Sequence, residues 1–140
     1  MIYIKIIVYS YEAVHNGQLY VMFEGRFNYW QAAAKCTEEG GALAMVTDTD
    51  TFNFLHSMLS AYKVQVGQSG AFVDGTKGVE NPQSSDWYCL STQGNCPAWP
   101  WHVGQPGNRQ NERCVGVFYA YDQGLGNTRC GLEMMAMCRM

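Results

Sequence analysis

Cys36, Cys89, Cys96, Cys114, Cys130 and Cys138 are the residues of this 140-residue chain whose type most directly implies chemistry. An even set of cysteines in a small domain points to disulfides and an oxidising compartment. The competing chemistry is a structural metal site, which favours close Cys-x-x-Cys pairs, and no spacing here has that form. Reduced, buried thiols in a cytosolic protein are the remaining reading, and six cysteines allow fifteen pairings in any case. His15, His56 and His102 lie far apart, and none stands in a metal or nucleophile motif. Each therefore reads as a surface or hydrogen-bonded histidine. Glu38, Glu39, Asp48 and Asp50 read as helix-end charges, and Asp74-Gly75 and Asp122 as turn residues. Gly-x-Ser-x-Gly, P-loop and dinucleotide fingerprints do not occur, which gives no basis for catalysis. The chain is expected not to be an enzyme.

The elements that must position these groups can be read from patterning. The formal net charge is −3, with lysines and arginines scattered, so there is no electrostatic footprint for nucleic acid or an anionic membrane. No apolar run approaches the ~20 residues needed to span a bilayer. One domain over residues 1–140 is expected, with 1–17 as an N-terminal strand extension. Ile2 to Tyr9 is apolar but interrupted by Lys5, with no small-residue cleavage site after it, and reads as a strand rather than a signal peptide. Gln18 to Phe23 reads as a strand after the turn-like His15-Asn16-Gly17. Asn28 caps a helix through Tyr29, Ala32, Ala33 and Cys36 that stops at Gly40-Gly41. Thr47 and Asp50 form a capping-box variant for a second helix carrying Phe52, Leu55, Leu59 and Tyr62 at helical spacing, with His56 beside that stripe. Gly, Pro, Ser, Asn and Trp dominate residues 67–111, which read as one long ordered loop. Cys114 to Ala120 and Met134 to Arg139 read as short buried strands, with Met134, Met135 and Met137 filling gaps in the core.

Tyr29-x-x-Ala32-x-x-x-Cys36 with Gly40-Gly41-Ala42-Leu43-Ala44, Asp86-Trp87-Tyr88, Trp101, Gly104-Gln105-Pro106, Glu112-Arg113-Cys114 and the closing Cys130 and Cys138 together resemble the C-type lectin-like family over residues 18–140. The family usually has Trp at the Tyr29 position. The resemblance implies an α+β fold in which two helices flank small antiparallel sheets with a long structured loop, stapled by disulfides. It also implies the pairs Cys36–Cys138, Cys114–Cys130 and Cys89–Cys96, each worth ~2–4 kcal/mol, and a cis peptide bond before Pro106. The family's extra N-terminal disulfide has no counterpart here.

Sugar-binding members of that family hold one calcium through the cis-proline tripeptide and a Trp-Asn-Asp segment, and sugar hydroxyls complete the shell. Here the tripeptide is Gln105-Pro106-Gly107 and the second segment aligns with Leu125-Gly126-Asn127. The resemblance thus implies a depleted calcium set of Gln105, Glu112 and Asn127, to which Asn108 is added if the loop shifts at Gly107. With one charged ligand, weak calcium binding at best is expected. Recognition without metal would use aromatic faces on the sugar ring and planar polar groups on its hydroxyls. Trp99, Trp101 and His102 are the candidate faces, and Gln105, Gly107, Asn108, Arg109, Glu112 and Asn127 the candidate polar contacts, with Gln110 nearby. For Trp87 and Trp101 a packing role beneath the long loop is the competing reading.

The expected partners are glycans or glycoproteins, met in a secreted, extracellular setting such as defence or self/non-self recognition. Two other readings are a lectin-like module for a protein partner and a binder of ice or mineral, which some relatives with this fold are. A homodimer or higher oligomer is expected, because weak single-site affinity gains from multivalency.

Overall fold

A computed structural model describes residues 10–66, 69–77, 86–97 and 99–140. The N-terminal strand expected at Ile2 to Tyr9 lies outside them. Strand β1 (Ser10–His15) and β2 (Gln18–Phe27) form an antiparallel hairpin around Asn16 and Gly17, whose φ of 49° and 77° are those of a tight two-residue hairpin turn. Helix α1 (Tyr29–Glu38) begins at Asn28, whose side chain accepts from Gln31 N at 2.9 Å while Gln31 Oε1 accepts from Asn28 N at 3.0 Å. That is a complete capping box. The helix ends where Gly40 N donates to Thr37 O and Gly41 N to Cys36 O. Gly40, at φ 91°, supplies the left-handed residue that this closure requires.

After β3 (Ala42–Leu43), helix α2 spans Thr49–Val66. Its cap differs from the expected one. Asp48, not Thr47, accepts from the N–H of Thr51 at 2.7 Å, because a carboxylate one position later reaches the free first-turn amides more directly. Those bonds from Thr51 hold the Asp48 carboxyl below its usual range, with a smaller contribution from His15. The folded value is depressed, so the stabilisation is complete above the unfolded value and fades as pH falls through the lower folded one. Asp48→Ala is expected to cost about 1 kcal/mol near neutrality. The gap between parent and variant should narrow in urea titrations at about pH 2, and an equal gap at both pH values would contradict it.

The remaining strands are β4 (Gly70–Lys77), β5 (Trp87–Cys89), β6 (Gly94–Asn95), β7 (Cys114–Phe118), β8 (Gly126–Thr128) and β9 (Met134–Arg139). Among the described residues the strands join one nine-stranded sheet. Most pairings are antiparallel, but β4 lies parallel to β9, so the sheet is mixed. The segment expected to be loop from residue 67 therefore contains a central strand. β4 is flanked by β7 and β9 and buried along nearly its whole length, and such a strand shows none of the polar alternation that marks a half-exposed one.

The sheet divides two cores. Tyr20 and Met22 of β2, Ala71 and Val73 of β4, and Met135 and Met137 of β9 pack with Phe52, Leu55 and Leu59 of α2. The alternate residues Val21, Phe23, Phe72, Met134, Ala136 and Cys138 pack with Tyr29, Ala32 and Cys36 of α1. This is the two-residue period of strands at work. Tyr29, at the family's tryptophan position, is buried and accepts a hydrogen bond from Gly75 N at 3.1 Å, and burial pushes its phenol pKa well up. His56 lies beside the α2 stripe, within 3.3 Å of Tyr119 O. The side chain of Tyr62 lies outside the described residues. Three disulfides, Cys36–Cys138, Cys89–Cys96 and Cys114–Cys130, close the fold. Among the described residues no helix is long and apolar enough to cross a membrane.

Candidate functional site

The long loop is fastened to Leu125, just before β8, ahead of the candidate site. His102 N donates to Leu125 O at 3.0 Å, and Leu125 N to Pro100 O at 2.8 Å. Gly124 makes this approach feasible, since a Cβ there would collide with the backbone of Pro100, Trp101 and His102. A turn with Gly104 at φ 84° and Gln105 N bonded to His102 O at 2.8 Å then delivers Gln105, whose peptide bond to Pro106 is cis.

Four of the expected residues meet at that point. Gly107 N donates to Asn127 Oδ1 at 2.7 Å and to Gln105 Oε1 at 3.2 Å. Asn127 returns its own amide nitrogen to Gly107 O at 3.1 Å and Glu112 O at 2.8 Å, and its backbone N–H donates to Gln105 Oε1 at 3.4 Å. A Cβ placed on Gly107 would lie 3.5 Å from Asn127 Oδ1, 3.9 Å from Glu112 Oε2 and 4.0 Å from Gln105 Oε1. Three side-chain oxygens thus converge on the spot where residue 107 has no side chain. The other Glu112 oxygen faces Arg109 Nε at 3.7 Å.

Calcium wants roughly 6–8 oxygen ligands and is held more tightly as carboxylates accumulate. This cluster offers one carboxylate. Its two amide oxygens already accept backbone N–H groups, which supply the positive partner a cation would otherwise provide. The donor set does not fit a tightly held calcium ion. Asn108 is exposed and, among the described residues, makes no hydrogen bond to Gln105, Glu112 or Asn127. Nor does any group of three or more His, Cys, Asp or Glu residues there gather as a metal site.

Trp87 and Trp101 take the packing role weighed for them, and Trp99 joins them. Trp99 and Trp101 do not flank the Gln105 cluster as open faces. They pack edge to face on each other at 5.1 Å and on Trp87 at 5.5 and 5.4 Å, all three half-buried against the α2-side core. Gly75 admits them, since a Cβ there would stand 2.6 Å from the Trp99 ring. Lys77 Nζ sits 4.9 Å from the Trp87 ring centre. His102 instead stacks on Tyr121 at 4.7 Å and accepts from Gln123 N at 3.3 Å. Tyr121 OH accepts from Gln105 Nε2 at 3.5 Å, which ties this pair to the cluster.

Tyr121, Asn111 and Arg129 were not singled out by sequence reasoning. They line a cavity of about 590 Å³ together with Arg109, Glu112 and Asn127. Tyr121 stands in a Tyr-Asp-Gln-Gly context that reads only as a turn. Its placement depends on β7 pairing back onto β8, which no local signal reveals. Asp74, read as a turn residue, is instead a buried carboxylate within β4. It accepts from Leu90 N at 2.7 Å, Ser91 N at 3.0 Å and the Ser91 hydroxyl, and so anchors the loop that the Cys89–Cys96 disulfide closes.

Comparison with known proteins agrees with this architecture. A perlucin-like protein of Mytilus galloprovincialis is 25% identical over 108 residues, which are 77% of this chain and 66% of that protein. The match thus spans just under two thirds of that relative. The mouse scavenger receptor C-type lectin carbohydrate-recognition domain superposes with a TM-score of 0.74 at 18% identity, covering 92% of each chain. A calcium-independent type II antifreeze protein superposes with a TM-score of 0.73 at 14% identity, covering 92% of this chain and 90% of its own. Likenesses this remote in sequence establish the fold and nothing finer. The family model of the lectin C-type domain matches residues 26–140, and with its cysteine frame and long loop this chain belongs to the C-type lectin domain family.

Proposed function

We propose that this domain is a secreted binding module, not an enzyme, that recognises glycans through its long-loop face without needing calcium. The observation that carries the reading is the closed hydrogen-bond set in which the Gly107 N–H occupies the acceptor oxygens of Gln105 and Asn127. This set holds the loop in shape through groups of the chain itself. Three disulfides support an oxidising, extracellular setting. Weak single-site affinity would gain from a homo-oligomer, with residues 1–10 as a candidate pairing edge between subunits, and an unchanged number of subunits after their deletion would remove them from that role.

The test is a glycan array read once with calcium and once with excess chelator. Equal binding in both arms is expected, and loss of binding with chelator would overturn the metal-free reading. Silence in both arms, from protein shown to be folded, would favour a protein partner or a mineral or ice surface instead. A second test restores the missing ligand. The space at Gly107 accepts a Cβ without collision, so Gly107→Asp places a second carboxylate beside Glu112. Millimolar calcium is expected to raise the melting temperature of this variant by a few degrees, as ligand linkage requires. The parent should not respond, and a parent that responds equally would contradict the fit argument.

A further inference from the structure

The cavity beside Gln105 and Asn127 does not end at the cluster. A second cavity of about 610 Å³ adjoins it, and the two share Asn111 and Arg129. Together they make a trough with Arg109 on one side, Arg129 at the junction and Arg26 on the far side. Three parts of the chain supply these cations: the end of the long loop, the segment after β8 and the end of β2. On a chain of net charge −3 with nine lysines and arginines in all, three arginines along one trough are a local concentration of positive charge.

Two glutamates, Glu112 and Glu133, line the same trough and leave it with a net charge of +1. Glu112 is engaged by Arg109 at 3.7 Å. Glu133 lines the far cavity, yet among the described residues neither Arg129 nor Arg26 has a carboxylate within ion-pair distance. Asn111 and Thr128 add planar and hydroxyl partners, and Tyr121 adds an aromatic wall. The backbone under Arg129 is fixed, because Cys130 is bonded to Cys114, its carbonyl accepts from Tyr29 N at 2.9 Å, and Arg129 O accepts from Leu132 N at 3.1 Å.

We infer that this trough selects anionic saccharides, with Arg129 as the central contact for a carboxylate or sulfate and Arg26 and Arg109 at its flanks. A guanidinium fork matches the paired oxygens of either group, while hydroxyl and amide partners beside an aromatic wall suit the ring that carries it. The inference rests on the glycan reading above and narrows it to an acidic class.

The experiment measures binding in chelator to three immobilised probes. These are a chondroitin sulfate hexasaccharide, the same hexasaccharide desulfated so that only its uronate carboxylates remain, and a neutral mannohexaose. Both acidic probes, or the sulfated one alone, should bind above mannohexaose. Arg129→Ala and Arg26→Ala, each shown to keep the parent melting temperature, should lose at least about tenfold in affinity for the acidic probes, a loss of one charge-assisted contact. Binding by the desulfated probe equal to the sulfated one assigns the carboxylate as the anion. Binding by the sulfated probe alone assigns the sulfate. Mannohexaose bound as well as the acidic probes, or both arginine variants binding like the parent, overturns the inference while the glycan reading stands. No binding to any of the three probes or to the full array overturns both.

Discussion

Protein in which Cys36 and Cys138 are both replaced by alanine is expected to lose about 4 kcal/mol of stability. The bond joins α1 to the last strand across a sequence separation of 102, so it restrains almost the whole unfolded chain, and closure entropy grows with loop length. Both cysteines are fully buried, and the alanines would leave sulfur-sized voids between helix and sheet, which adds to the cost. Small domains carry roughly 5–15 kcal/mol in total, so the variant should be marginal at physiological temperature. The Cys89–Cys96 bond spans a separation of only 7, and its removal should cost about 2 kcal/mol by the same reasoning. Urea titrations of the two double-alanine variants decide it. If the short loop proves as costly as the long one, the restraint is not what these bonds mainly supply.

The second large effect is Asp74→Ala, expected to cost on the order of 3 kcal/mol, or about 10 °C in melting temperature. Alanine would strip the partner from two backbone N–H groups and one hydroxyl at Leu90 and Ser91, in a part of the molecule sheltered from water. An orphaned donor costs more than the bond it lost, because its desolvation is no longer offset. Asp74→Asn keeps one acceptor oxygen but turns an NH₂ group toward donors, so it should recover only part of the loss. The loop carrying Leu90 and Ser91 follows β5, which holds Trp87. A change in tryptophan fluorescence should therefore accompany the destabilisation. A variant melting within a degree or two of the parent would show that these donors find water instead.

Much of this was legible along the chain. The helix cap at Asn28 and the glycine stop at Gly40 are local, as is the strand Met134–Arg139, and each was read within a residue or two, though the reciprocal bond from Gln31 that completes a capping box was not. The disulfide pairs came through family resemblance, since spacing alone left every pairing open. What stayed hidden has one physical character: it depends on partners distant in sequence. Asp74 resembles a turn residue until Leu90 and Ser91 arrive from across the sheet. Trp99 offers the same local signal whether it faces solvent or Trp87. Arg129 has no motif around it, and only the folded trough sets it between Arg109 and Arg26. Gln105, Glu112 and Asn127 do meet beside Gly107, yet the bonds that Gly107 makes through its backbone left no trace in side-chain chemistry.

The arrangement of strands also governs how the domain can be handled. Met140 N is bonded to Leu19 O of β2, and Gln18 donates to Met140 O, whereas Asn127 lies on β8, reached from β2 only by way of β9, β4 and β7. A tag or surface linker joined at Met140 therefore leaves from the β2 margin of the sheet, several strands away from the Gln105–Asn127 cluster. Immobilised that way, each copy would keep its Gln105–Asn127 cluster away from the attachment point, so closely spaced copies on a bead would act as a multivalent capture reagent without any reshaping of the loop.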